Sequence, residues 1–245
     1  MSNRPRRRAD ILLVELGLAP TRVRAQALIL EGRVYCGEQP VPKPSSLLPA
    51  GAPLRVTEGA RYVSRGGLKL EAALRHFALD VAGRVALDVG ASTGGFTDCL
   101  LQHGARRVYA VDVGYGQMAS TLRTDPRVVV MERVNARYPF PLTEQVDLVT
   151  ADVSFISLTL VLPPSLEHLR PGGHVVALVK PQFEAGRKEV GRGGVVRDPN
   201  MHAAVLARFV RWAIEQGLRV RGVISSPITG DAGNREFLVL LQKRV

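Results

Sequence analysis

Of the 33 basic residues only five are lysine: Lys43, Lys69, Lys180, Lys188 and Lys243. Arginine serves wherever a plain positive charge is enough, so a lysine at the end of an apolar run points to a task that arginine cannot perform. A lysine ammonium can give up its proton, whereas a guanidinium in practice does not. Lys180 closes the run "VVALVKPQFE" and is followed by Pro181, and Asp152 follows the apolar residues of "LVTADVSFIS". Lys69 in "SRGGLKL" opens the helix leading into the sheet, and Glu236 in "NREFLVLL" begins the last strand. Each alone is compatible with a surface ion pair. As a set, two lysines and two carboxylates are expected to converge over one crevice at the strand ends.

A second constellation surrounds "DVGASTGG", residues 88 to 95, directly after an apolar run. Its glycines, Gly90, Gly94 and Gly95, are not spaced as Gly-x-Gly-x-x-Gly, and no Gly-Lys-Ser/Thr is present, which argues against dinucleotides and nucleoside triphosphates. Asp112 in "YAVDVG" is placed to accept hydrogen bonds from both hydroxyls of a ribose, with Val113 beside it. Asp88 could meet a ligand ammonium, and Ser92 belongs to the same turn. A ribose, a base and an amino-acid tail without phosphate describe S-adenosylmethionine. Both aspartates are also compatible with buried or capping roles. Glu132 and Asn135 in "MERVNAR" are candidate contacts on the adenine side, or surface residues.

These residues need a scaffold that brings strand ends together. From about Arg84 strand-like and helix-like segments alternate, with strands over Val85–Val89, Arg107–Val113, Val128–Glu132, Val146–Asp152, Gly173–Lys180, Val220–Ser226 and Glu236–Leu241. Helices fall near 67–78, 96–103, 116–123, 157–169 and 200–216. The order predicts an α/β, doubly wound, Rossmann-like fold with a mostly parallel seven-stranded sheet, whose ligands lie beyond the carboxyl ends of its strands. Pro227 to Asn234 is too short for a helical crossover, so the last two strands are expected to be antiparallel.

The chain has 245 residues, of which 46% are hydrophobic and 22% charged, so a filled core is expected. No run reaches the roughly 18 apolar residues of a membrane span, and the first residues do not resemble a signal peptide. Cys36 and Cys99 are far apart and have no metal-ligand spacing, so neither a disulfide framework nor a metal is expected, and a cytoplasmic setting fits. A formal net charge of +11 makes a polyanion the first partner to consider, with an arginine-rich composition as the plain alternative.

Residues 1–60 read as a small α+β module and 61–245 as the larger domain. Leu12, Leu13, Leu16 and Leu18 predict one short helix; Thr21 can cap a second with Val23, Ala27, Leu28 and Leu30 on its apolar face. A strand and tight turn follow, and Gln39 to Pro53, with five prolines, reads as an extended connection. "RADILLVELGLAPTRVRAQALILEGRVY", Arg8 to Tyr35, resembles the S4 RNA-binding domain, although Gly37-Glu38 stands where Asn-Gly is usual. Arg22, Arg24 and Arg33 are its candidate phosphate contacts, with Arg65 as a further candidate RNA contact.

The stretches "YVSRGGLKL", "LDVGASTGGFTDCLL", "VDVGYGQ", "ADVSFIS", "LVKPQFE", "GGVVRDP" and "NREF" resemble, in this order, the TlyA or haemolysin A family of ribosomal RNA cytidine 2′-O-methyltransferases. Members join an S4 domain to an FtsJ-like methyltransferase domain. The resemblance implies S-adenosylmethionine as cofactor, ribosomal RNA as partner, and a Lys-Asp-Lys-Glu tetrad falling on Lys69, Asp152, Lys180 and Glu236. It implies in-line methyl transfer to a ribose 2′-oxygen, with Lys180, next to the second ammonium of Lys69, drawing off the hydroxyl proton. Alignment of the reactants can supply roughly 7–11 kcal/mol of such an acceleration.

Phe155 either stacks on a base or fills core, and Glu184 to Asp198 is either a loop that closes over RNA or idle surface. Two rival functions remain at this level. A non-catalytic RNA-binding or ribosome-assembly factor would keep the basic module but has no use for Asp152, Lys180 and Glu236 at strand ends. A membrane-active toxin lacks the amphipathic or spanning segment it would need.

Overall fold

The computed structural model describes residues 6–30, 33–37, 39–57, 61–186, 191, 194–230 and 233–244. The chain divides into two compact units, Met1–Arg61 and Tyr62–Val245.

The first unit runs β1 (Arg6–Arg8), α1 (Ala9–Glu15), α2 (Arg22–Leu30), β2 (Val34–Cys36), β3 (Gln39–Pro40), β4 (Leu47–Pro49) and β5 (Leu54–Val56). Thr21 does cap α2, its hydroxyl accepting from the Arg24 N–H at 3.2 Å. Leu12, Leu13, Ala25, Leu28 and Ile29 are buried. Leu16 is exposed because α1 stops one residue before it, and Val23 because it lies on the face opposite Ala25, Leu28 and Ile29. The proline-rich connection is not merely extended: its Leu47–Pro49 pairs antiparallel with β1, while β2 lies between β3 and β5. Gly37 takes a left-handed φ of +59°, as the expected turn requires; Glu38 lies outside the described residues.

The second unit runs α3 (Gly66–His76), β6 (Val85–Val89), α4 (Gly95–Gln102), β7 (Arg107–Asp112), α5 (Ser120–Arg123), β8 (Val128–Glu132), β9 (Val146–Ala151), α6 (Leu158–His168), β10 (Leu169–Val179), α7 (Pro181–Glu184), α8 (Pro199–Glu215), β11 (Leu218–Ser225) and β12 (Phe237–Lys243). Seven strands form one sheet in the order β11-β12-β10-β9-β6-β7-β8. The neighbours β10, β9, β6, β7 and β8 are parallel, and β12 is inserted between β10 and β11, antiparallel to both. This is the expected doubly wound, mostly parallel sheet.

Burial on both faces explains the nearly unbroken apolar runs of the inner strands. Alternate residues serve opposite layers. Val85, Leu87 and Val89 join Leu158, Leu162 and Phe209 from α6 and α8; Ala86 joins Leu70, Leu74, Phe96 and Leu100 from α3 and α4. Helix α8 begins with Asp198 accepting from the Asn200 N–H and Pro199 in its first turn, and buries His202, Val205, Phe209 and Ala213 along one stripe. No helix among the described residues is long and apolar enough to cross a membrane.

Candidate active site

Because β6 and β9 are adjacent and parallel, the turns after Val89 and Ala151 meet. Gly90 sits between them with φ +80°, and a Cβ there would lie 2.5 Å from the Asp152 carbonyl oxygen. Glycine is therefore a steric demand of the close approach. Ser92 is also left-handed, at φ +47°, held by its N–H donating to Asp112 Oδ2 at 2.8 Å and its hydroxyl donating to Gln117 Oε1 at 3.1 Å. Gly94 starts α4 at φ +96°, where a Cβ would strike the Leu122 side chain at 2.2 Å. Strain stored in such a turn is common where a ligand is gripped.

Two cavities flank this turn. One, of about 520 Å³, is lined by Gly90, Ser92, Asp112, Val113, Gln117 and Asn135 among others. Asp112 Oδ1 also accepts the Gly114 N–H at 2.6 Å, so both carboxylate oxygens are fixed by backbone donors while lone pairs remain for two hydroxyls. Asp112, Val113, Asn135 and the apolar Val89, Val111, Val134 and Ile156 thus offer what a ribose and an adenine need. Those residues fit S-adenosylmethionine.

Two expected contacts are corrected. Asp88 does not line either cavity. It shares the face of Ala86, not that of Leu87 and Val89, so it points beneath α4 and is fully buried. Its oxygens accept from the Thr97 hydroxyl at 2.7 Å and the Thr150 hydroxyl at 2.9 Å. Burial pushes its carboxyl up to about 6, the two hydroxyls opposing and the charge of Asp152 adding. Glu132 is likewise turned away from the adenine side: it is paired with Arg123 and accepts the Gly116 N–H at 2.8 Å.

The second cavity, of about 480 Å³, gathers Lys69, Asp152, Lys180 and Glu236, with Gly95, Ser64 and Arg65 on its lining. It shares Gly90, Ser92, Asp152 and Ser154 with the first, so the two form one continuous crevice. Lys180, at the start of α7, and Asp152, just past β9, follow the ends of adjacent parallel strands, and Lys180 Nζ lies 2.6 Å from Asp152 Oδ1. Lys180 Nζ also donates to the Ser154 hydroxyl at 2.9 Å. Lys69 projects from the first turn of α3, and Glu236 precedes β12, whose reversed direction puts its start at the end where parallel strands finish. Lys69 Nζ donates to Glu236 Oε2 at 2.5 Å. A Cβ at Gly230 would lie 2.0 Å from Glu236 Oε1, so that glycine makes room for the carboxylate. Each lysine is therefore seated against its own carboxylate.

Ser154, Gln117, Thr229 and Gly230 were not among the residues singled out by sequence. Ser154 follows Asp152 by two in "ADVSFIS", the spacing that lets both reach one partner. Phe155 is not core: it is 90% exposed at φ +64°, its ring 5.0 Å from that of Phe183. Glu184 is not part of an open loop either, because it accepts from the Ser157 hydroxyl at 2.6 Å and the Leu158 N–H at 2.7 Å. Residues 187–190, 192 and 193 of the segment read as either a closing loop or idle surface lie outside the described residues.

In the first unit Arg22 donates through Nε to buried Asp10 at 2.9 Å, alongside Arg8 and Gln26. The Arg8 guanidinium, with Gln26 and Arg22, holds the Asp10 carboxyl well below the usual carboxylate range against the opposing effect of burial. Arg33 donates through Nε to the Thr57 carbonyl at 3.1 Å. Arg22 and Arg33 therefore brace this unit as well as carrying charge, while Arg24 is exposed on α2.

Comparison with known proteins gives independent matches to both units. Residues 62–243 match the FtsJ-like methyltransferase family and residues 7–54 the S4 domain. The 16S/23S rRNA (cytidine-2′-O)-methyltransferase TlyA of Mycobacterium tuberculosis is 48% identical over 241 residues, covering 97% of this chain and 90% of that protein. A solved candidate hemolysin from Streptococcus thermophilus is 46% identical with a TM-score of 0.76, covering 98% of this chain and 89% of that one. An S-adenosylmethionine-dependent methyltransferase from Aquifex aeolicus, at 19% identity and TM-score 0.53 over 74% of this chain and 94% of its own, shares the fold. A glycine cradle shaped for a phosphate-free nucleoside and matches of this extent lead to one assignment: the chain belongs to the TlyA, or haemolysin A, family of FtsJ-like methyltransferases, enzymes that use S-adenosylmethionine.

Proposed function

We propose that this chain methylates the 2′-oxygen of a cytidine ribose in ribosomal RNA. The observation that carries the reading is that Lys69, Asp152, Lys180 and Glu236 line one cavity, continuous with the cofactor cradle. S-adenosylmethionine, when bound, supplies a methyl group on a positively charged sulfur, open to in-line attack.

The chain's own residues supply the acceptor side. A ribose hydroxyl is a poor nucleophile until its proton leaves, and Lys180 in its neutral form is the group that takes it. Asp152 and Ser154 fix the direction of the Lys180 nitrogen, and Glu236 fixes that of Lys69. Positioning of the hydroxyl carries a large share of the acceleration. The S4 unit, through Arg22, Arg24 and Arg33, and Arg65 at the rim of the catalytic cavity, hold RNA phosphates. The working compartment is the cytoplasm, where ribosomal RNA is made and folded.

The test is transfer of labelled methyl from S-adenosylmethionine to ribosomal RNA taken from cells that lack the protein, with 2′-O-methyl positions mapped on both subunits. Methylation of one or a few cytidine riboses is expected. Methylation on a base, or none, would overturn the reading; retained RNA binding without transfer would favour the assembly factor.

A further inference from the structure

A third cavity, of about 630 Å³, opens at the amino end of the parallel strands, lined among others by His76, Asp80, Arg84, His174, Arg221 and Gly222. His174 stands six residues before Lys180 in sequence, which at about 3.3 Å per strand residue puts this cavity roughly 20 Å from the catalytic crevice. It contributes nothing to the tetrad or the cofactor cradle.

The local backbone aims its charges inward. β11 is an edge strand whose pairing with β12 slips between Val220 and Gly222, leaving Arg221 as the extra residue of a bulge. A bulge re-directs its side chain, and Arg221 is turned to the cavity. A Cβ on Gly222 would meet the Phe77 ring at 2.6 Å, so the glycine lets the bulged strand lie on that ring. Arg84 is pinned from both sides, its N–H donating to the Val81 carbonyl at 3.1 Å and its carbonyl accepting the Arg106 N–H at 2.8 Å.

The cavity has excess positive charge and spare donors. Among the described residues neither Arg84 nor Arg221 has an ion-pair partner, and Asp80 is engaged by the Ala82 N–H at 2.9 Å. His174 Nδ1 is buried without a hydrogen-bond partner. Burial, then the charges of Arg84 and Arg221, hold that imidazole below its usual pKa, so the ring is neutral and keeps one N–H to donate. Two forked guanidinium groups on one lining, with the neutral His174 ring beside them, match the oxygens of a phosphate.

We infer that Arg84, Arg221 and His174 form a second anchor for the RNA, binding a backbone phosphate at the end of the sheet opposite the catalytic crevice. The inference rests on the reading of RNA as substrate. Such an anchor fixes the tilt of a structured RNA against the second unit, because one contact at each end of a rigid sheet leaves less rotational freedom than contacts at one end.

The test compares the double substitution Arg84→Gln, Arg221→Gln with Arg219→Gln, which removes an exposed charge from the same edge strand but does not line the cavity. The double variant is expected to raise KM for ribosomal RNA about tenfold with kcat and cofactor affinity unchanged. Its plot of log affinity against log salt should flatten by about 0.7–0.9 per phosphate lost, while Arg219→Gln keeps the slope. A double variant no different from Arg219→Gln overturns the inference. Inorganic phosphate is titrated in parallel, read at the His174 ring by NMR: a response there, combined with RNA affinity insensitive to the double variant, would assign the cavity to a free phosphate compound and overturn its role in RNA binding. RNA affinity is measured without methyl transfer, so failure of the wild-type chain to methylate ribosomal RNA is a separate result that sinks the functional reading.

Discussion

Lys69 and Glu236 are separated by 167 residues in sequence and joined by a 2.5 Å hydrogen bond with both side chains almost wholly buried. A buried pair of this kind is costly to break from one side, because the remaining charge loses its partner but not its burial. Lys69→Met is expected to destabilise the chain by about 3–5 kcal/mol, and adding Glu236→Leu should recover most of that loss. Urea unfolding of the single and double variants reads the coupling. Strictly additive losses would show that the two side chains are energetically independent.

Lys180 lines the second cavity and contacts Asp152 and Ser154, which line both. Lys180→Arg keeps a positive charge near Asp152 but has no removable proton, so methyl transfer should fall by about 10²–10⁴ in kcat. Calorimetry should show cofactor binding intact. Full activity in this variant would remove Lys180 from proton transfer and leave it a positioning group.

Asp88 links pH to stability. Its carboxyl is raised to about 6 by burial, whereas in the unfolded chain it titrates at about 3.9. A raised acid favours the folded state fully below the unfolded value, and that advantage is lost as pH climbs through the folded value. The stability of the wild type relative to Asp88→Asn should therefore decline by about 3 kcal/mol between about pH 4 and pH 6, and then level off. Denaturant titrations of both proteins across that window give the difference directly. A constant difference would mean that Asp88 is not held protonated by its surroundings.

Arg22 has a structural task that is separable from RNA. It is one of three side chains donating to buried Asp10, so Arg22→Gln should weaken α1 by about 1 kcal/mol, since Arg8 and Gln26 remain. Faster hydrogen exchange at the amides of residues 9–15, in the absence of RNA, is the expected sign. Unchanged exchange would leave Arg22 as a surface charge only.

The catalytic crevice was legible to the extent that it depends on strand ends. Apolar runs fix β9 and β10, two adjacent parallel strands force Asp152 and Lys180 to the same rim, and the scarcity of lysine marks which cation matters there. Glu236 and Lys69 were legible through family resemblance, because no periodicity reveals that β12 slots between β10 and β11. Asp88 was misread for a local reason: its sequence position at the turn suggested a ligand contact, but strand alternation from Ala86 sends it under α4. The exposure of Phe155 follows from a left-handed backbone that its residue type does not announce. In the first unit, the antiparallel partner that β1 finds in Leu47–Pro49 was hidden by prolines, which are tolerated at the ends of so short an edge pairing.

β12 has a consequence for assembly. It is the latest strand of the sheet in chain order, yet it occupies an interior position, with β10 on one side and β11 on the other. Until residues 237–243 are made, β10 and β11 have no neighbour between them, and Glu236 cannot reach Lys69. The growing polypeptide can therefore complete its cofactor cradle, built from β6, β7 and β9, well before Lys69 can be seated against Glu236.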